Sequence, residues 1–143
     1  MGIGPLGFVE NVNKPITWRS INDLTAYRIG TVQDYVNTDE LDAMIANGSI
    51  KVEPVTSDAR NILKVAAGRI DMAVIDSNVF SFLTAHDAQV TPVADRVKMN
   101  SKLLVDKELF VAFKNTPGGK QWKDIFNAGL AKIDVEAIMA QHM

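Results

Sequence analysis

The residues with the clearest chemical potential lie at the end of one apolar run. The stretch GRIDMAVIDSNVF covers residues 68–80. Gly68 can end a helix, and Ile70, Met72, Ala73, Val74 and Ile75 follow with only Asp71 between them. A short, nearly continuous apolar run of this kind fits a parallel strand buried on both faces. Asp76 then stands at the carboxyl end of that strand, where open α/β sheets bind ligands. Asp76 or Ser77 could equally cap the next helix, since both types accept hydrogen bonds from its first N–H groups.

Other reactive residue types do not assemble. The two histidines, His86 and His142, are not at ligand spacing from each other or from a carboxylate pair. His86-Asp87 reads as a solvated turn. Asp71 and Asp76 are five apart on one strand, so their side chains tend to opposite faces. There is no Gly-x-Ser-x-Gly elbow. Pro117-Gly118-Gly119-Lys120 lacks both the hydroxyl residue after lysine and the glycine spacing of a phosphate loop. The chain has no cysteine, hence no thiolate and no disulfide framework. These residues indicate binding rather than catalysis: no enzyme, no metal and no cofactor.

The elements that would position Asp76 follow a regular alternation. Residues 7–12 read as a short strand, 13–19 as a connection around Lys14-Pro15, and 20–24 as one helical turn capped by Ser20. Residues 27–32 form a strand. Asn37 with Glu40 resembles a capping box, and Leu41, Met44 and Ile45 follow at helical spacing until Asn47-Gly48. Residues 50–55 form the next strand, and Pro54 places it near a sheet edge or marks its end. Thr56-Ser57-Asp58 opens a helix with Ile62, Leu63, Val65 and Ala66 on its apolar face. The strand before Asp76 comes next, then a short helix with Val79, Phe80 and Leu83. This order argues for right-handed crossovers and a parallel sheet, an α/β fold. Residues 89–93 are a fourth strand candidate, and residues 102–113 hold one or two strands. Thr116 caps a closing helix with Pro117 at its first position, and Trp122, Ile125, Phe126, Leu130 and Ile133 form its stripe. Asp134 caps a last short helix.

Bulk properties exclude some partners. The 143 residues suffice for one domain with a real core. A formal charge of −2 leaves no electrostatic footprint for nucleic acid. No basic amphipathic helix suits a membrane surface, and the longest apolar run, residues 109–113, is far too short to span one. MGIGPLGFVENV at the N-terminus is not a secretory signal peptide. That suits a cytoplasmic protein, and equally a chain whose signal has been removed.

Three segments together carry a family likeness. SINDL, two residues, then YRIGTVQ begins it; VEPVTSDARNILKVAAGRIDMAVID continues it; KELFVAFKN and a helix containing FNAGL end it. This order resembles the second lobe of type II periplasmic solute-binding proteins that serve ABC importers, especially those for polar amino acids. The resemblance runs from about residue 7 to residue 133. It implies residues 1–19 as a remnant of lobe 1 with a crossing strand, 20–108 as the α/β lobe 2, and 109–143 as the return strand and closing helices of lobe 1. Most of lobe 1 would then be absent, so the chain would be a C-terminal portion or a single-lobe protein.

The resemblance also implies roles for particular residues. Asp76 matches the aspartate that pairs with the ligand α-amino group. Tyr35 and Val36 match positions where backbone N–H groups at a helix start meet the ligand carboxylate. Asp34-Tyr35 departs from the family's glycine followed by Ser or Thr, and a carboxylate at Asp34 disfavours an anion there. Thr56 and Ser57, at the end of the second strand, would line the same crevice. The implied function is extracytoplasmic binding of a small polar solute, delivered to a membrane permease, in the periplasm. Alternatives are the ligand-sensing lobe of a signalling receptor, the effector domain of a transcription regulator, or an enzyme derived from the fold. With lobe 1 absent, the first strand and the closing helix would lack cover, and a homodimer is expected.

Overall fold

The computed structural model describes residues 2–142, with the side chains of residues 2, 3 and 107–109 excepted. The strands are β1 (Gly2–Asn11), β2 (Ile29–Val32), β3 (Val52–Val55), β4 (Met72–Asp76), β5 (Val97–Met99) and β6 (Val105–Leu109). The helices are α1 (Asp39–Ala46), α2 (Asp58–Ala66), α3 (Ser77–His86), α4 (Pro117–Leu130) and α5 (Val135–His142). Two 3-10 turns, Ile21–Ala26 and Thr91–Arg96, complete the chain. No helix of the described residues is long and apolar enough to cross a membrane.

By compactness the chain divides into two units. One is Pro5–Asp106; the other combines Met1–Gly4 with Lys107–Met143. In the larger unit the strand order is β3-β2-β4-β1-β5. β2 is parallel to both β3 and β4, as the βαβ alternation requires. β1 is antiparallel to both β4 and β5, so the sheet is mixed. Its register sets Leu6 opposite Asp76 and Glu10 opposite Met72.

Side-chain alternation explains the two cores. Phe8, Ile29, Met72 and Val74 face one way and pack with Leu41 of α1, Trp18 and Leu24. Val9, Ala73 and Ile75 face the other way and pack with Ile62, Val65 and Ala66 of α2 and with Val90. Both faces of β4 are therefore covered, which is why its sequence is apolar without a break from Met72 to Ile75. Each fully buried Ile or Val here contributes roughly 1.5–3 kcal/mol. Gly48 and Gly68 have φ of 80° and 70° just after α1 and α2, the left-handed conformation that ends a helix without a Cβ penalty.

A buried polar network ties the sheet to its connections. Glu10 Oε2 accepts from the Ile16 backbone N–H at 2.7 Å and from Asn100 Nδ2 at 2.8 Å. Asn100 Nδ2 also donates to the Ile16 carbonyl at 2.8 Å, and Trp18 Nε1 donates to Asn100 Oδ1 at 3.3 Å. Lys98 Nζ lies 3.8 Å from Glu10 Oε1.

Some expected elements differ. Residues 89–93 are not a strand. Asp87 Oδ1 accepts from Gln89 and Val90 N–H groups, and Pro92 has no N–H for a ladder, so the segment turns and places Val90 in the core. Residues 102–113 contain the single strand β6. α1 is capped by Thr38, whose hydroxyl accepts from Leu41 N–H at 3.2 Å, rather than by Asn37. Asn37 instead donates through backbone and amide to Asp42, at 2.9 and 2.8 Å. Thr116 and Asp134 do cap α4 and α5.

Candidate functional site

Because β2, β3 and β4 are parallel, their carboxyl ends share one edge. Val32 is level with Val55 across β2 and β3, and Asp76 closes β4. Three short connections therefore leave the sheet side by side: residues 33–38, residues 56–57, and the junction of β4 with α3.

Asp76 fulfils the capping role. Its Oδ1 accepts from Asn78 N–H at 2.7 Å and from Val79 N–H at 3.3 Å. The side chain is half-buried. Its second oxygen has no hydrogen-bond partner among the described residues. A carboxylate can accept about four hydrogen bonds, so capping leaves capacity for a ligand.

Asp58 joins it from beyond the end of β3, on the far side of β2. Ser57 caps α2 through its hydroxyl, which accepts from Arg60 N–H at 3.3 Å, and Asp58 is the first helical residue. Burial pushes the Asp58 carboxyl above the ordinary carboxylate range, and the negative charge of Asp76 pushes it the same way. A hydrogen bond with the Tyr35 side chain opposes the shift. Asp58 and Asp76 thus lie near enough at the carboxyl edge to feel each other's charge, with the Tyr35 side chain beside Asp58. Ionising both carboxylates is unfavourable until a cation arrives between them.

The remaining sequence candidates surround this pair unevenly. Gln33 N–H bonds the Val55 carbonyl at 2.8 Å, and Tyr35 N–H bonds the Val32 carbonyl at 3.2 Å, closing a tight turn. Asp34 sits in that turn with φ of 65°. This is the backbone a glycine adopts freely, matching the glycine that the resemblance places there. Tyr35 and Val36 are well exposed. α1 starts at Asp39, so these two residues precede its first turn and lie in the loop. Thr56 is exposed and Ser57 is occupied in capping.

Asp71 is at the opposite edge. Its Oδ2 accepts from Arg28 N–H at 2.8 Å, with the Arg28 Nε 3.6 Å away. It has no part in the carboxyl-edge group. Among the described residues no set of three or more His, Asp or Glu could hold a metal ion. The arrangement offers negatively charged hydrogen-bond acceptors with hydroxyls nearby. That chemistry suits an ammonium or guanidinium group.

Asp58 was absent from the sequence candidates. Its position in Thr56-Ser57-Asp58 reads as a helix opener and nothing more. The available signal was topological: it follows the end of a strand parallel to β4, so it must emerge on the edge that carries Asp76.

No known family model matches this chain, and no curated protein matches it in sequence. Solved structures do match. The GLUR0 ligand-binding core in complex with L-glutamate aligns at TM-score 0.67 with 15% identity, over 99% of this chain and 58% of that one. An ancestral arginine-binding protein bound to arginine aligns at 0.64 with 13% identity, over 97% and 58%. An arginine 3rd transport system periplasmic binding protein from Legionella pneumophila aligns at 0.62 with 13% identity, over 97% and 59%. The chain spans less than two thirds of the length of each. At this identity the likeness concerns the fold: a mixed α/β sheet flanked by helices, as in periplasmic binding proteins.

Proposed function

We propose that this chain is the second lobe, with the return strand and closing helices of the first, of a protein that binds a small polar solute. The preferred solute is an amine or guanidinium compound such as a basic amino acid. The observation that carries the reading is the convergence of Asp76, Asp58 and Tyr35 at the carboxyl ends of three parallel strands. Charge-assisted hydrogen bonds from a ligand cation to these carboxylates strengthen away from water. The cation also relieves the mutual repulsion of the pair. Asp34 adds a third negative charge beyond β2, and Thr56 and Ser57 offer hydroxyls for neutral parts of the solute.

The compact unit Pro5–Asp106 supports equating most of it with lobe 2, and the unit containing Lys107–Met143 with the returning part of lobe 1. The arginine-binding neighbours support a cationic solute. Hinge closure and delivery to the permease of an ABC importer in the periplasm complete the reading. The affinity of this lobe by itself should be weak, about millimolar, because tight sites bury a small ligand from several sides. The test is amide and side-chain NMR during titration with L-arginine and, separately, L-glutamate. L-Arginine should shift resonances of Tyr35, Asp58 and Asp76 at millimolar concentration, and L-glutamate should not. Absence of shifts at these three residues with L-arginine would refute the assignment.

A further inference from the structure

The face of β2 beneath α2 is cut to fit one side chain. Gly30 lies on the central strand of the parallel three, level with Glu53 of β3 and Ala73 of β4. A Cβ on Gly30 would overlap Asn61 Oδ1, and would lie 3.0 Å from Asn61 Cγ and 2.7 Å from Ile70 Cδ1. The Asn61 amide of α2 therefore rests directly on the strand backbone. Asn61 is 1% exposed, and among the described residues neither amide atom has a hydrogen-bond partner. An unpaired buried amide opposes folding, so hydrogen bonding does not explain asparagine at this position. Its shape does: a short, flat group fills the gap over a residue that has no side chain.

We propose that the Gly30–Asn61 contact is a spacer that sets how closely the first turn of α2 approaches the sheet, and thereby holds Asp58 in place beside Asp76. Asp58 and Asn61 are three residues apart on one helix and share a face. The bond from Asn61 N–H to the Ser57 carbonyl, which closes that first turn, is 3.4 Å long. The bonds that open α1, α4 and α5 in the same way are 2.8, 2.9 and 3.1 Å. The turn that carries Asp58 is thus the most drawn out of the four. Only χ1 lies between the helix backbone and Asn61 Cγ, and a helix restricts χ1, so a push on this amide moves the backbone with it. Close-packed interiors transmit such displacements. Gly30 and Asn61 are positioning residues, and neither touches a solute. This role rests on the reading of Asp58 and Asp76 as a cation site.

Carboxyl-carbon NMR of the full chain, first across pH and then with added L-arginine, tests the spacer. Gly30→Ala pushes the first turn of α2 outward. Asp58 then loses burial and proximity to Asp76, so its titration should fall toward the ordinary carboxylate range. L-Arginine binding should weaken about tenfold, the loss of one charge-assisted hydrogen bond. Adding Asn61→Ala to Gly30→Ala should return both readings toward the parent. Asn61→Leu keeps the branched outline and should leave both unchanged while the melting temperature rises. Where Gly30→Ala does not fold, Asn61→Ala alone carries the test: without the spacer α2 settles, and Asp58 should titrate higher still. The Asp58 titration needs no ligand. A parent chain indifferent to L-arginine would therefore refute the cation site, and the titration alone would decide the spacer. Asp58 titrating as in the parent in both Gly30→Ala and Asn61→Ala would overturn the spacer, whether or not L-arginine binds. So would a Gly30→Ala change that Asn61→Ala fails to reverse, or an equal change in Asn61→Leu.

Discussion

Replacing Asp76 by asparagine separates its two roles. Asparagine keeps the oxygen that accepts from Asn78 and Val79, so the cap survives. Loss of the negative charge at the start of α3 costs about 0.3–1 kcal/mol. Relief of the repulsion felt by Asp58 offsets part of that. The net change in stability should lie within about 0.5 kcal/mol, or roughly 2 °C in melting temperature for a chain of this size. Asp76→Ala removes both capping bonds and should cost about 1 kcal/mol. Cation binding should respond in the opposite order of sensitivity. A half-buried pair loses less than the 2–5 kcal/mol of a fully desolvated one, so Asp76→Asn should weaken L-arginine binding at least about tenfold. Asp71→Asn, altered at the far edge, should leave binding unchanged. NMR titration beside thermal melts reads both effects. Full affinity in Asp76→Asn together with a lowered melting temperature would reduce Asp76 to a helix cap and refute the amine assignment.

Further outcomes concern charge and packing. Because the folded chain holds the Asp58 proton more tightly than the unfolded chain, this carboxyl favours folding at low pH and loses that contribution as pH rises through its folded value. Asp58→Asn should therefore flatten the fall of melting temperature above about pH 4, the ordinary carboxylate range. L-Arginine affinity should rise over the same window by at most about one log unit per pH unit in the parent, and should lose that slope in Asp58→Asn. Glu10→Ala strips acceptors from Ile16 N–H and the Asn100 amide in the buried network, and should destabilise by about 3 kcal/mol in urea unfolding, with Glu10→Gln milder. Among the described residues the buried Asn61 amide has no hydrogen-bond partner on either atom, so Asn61→Leu should stabilise by roughly 1–3 kcal/mol. Gly30→Ala should destabilise, because its Cβ would meet the Asn61 amide and lie 2.7 Å from Ile70 Cδ1; combining it with Asn61→Ala should restore much of the loss in a melt.

Local chemistry determined much of this protein from sequence alone. The Thr56-Ser57-Asp58 helix opening, the Thr116 cap, Gly48 and Gly68 beyond their helices, and the apolar stripe of α2 act within one or two turns of chain. Pro54 pointed to an edge strand or to a strand end, and β3 is the outermost strand of the path. Asp76 at the end of a buried strand was legible because a continuous apolar run needs cover on both faces. Tertiary structure decided the rest through contacts between residues remote in sequence. The insertion of β1 between β4 and β5 pairs segments more than sixty residues apart, and alternation alone does not orient it. Residues 89–93 have the composition of a strand, and the Asp87 turn with Pro92 overrode it. Glu10 meets Asn100 across 90 residues. Asp58 has its raised pKa through burial first and through the charge of Asp76 second, and the latter acts because β3 and β4 flank β2 in parallel, which sets two helix starts on one edge. A carboxylate's affinity for protons depends on the charge and solvent around it, and those are properties of the assembled edge rather than of the residue.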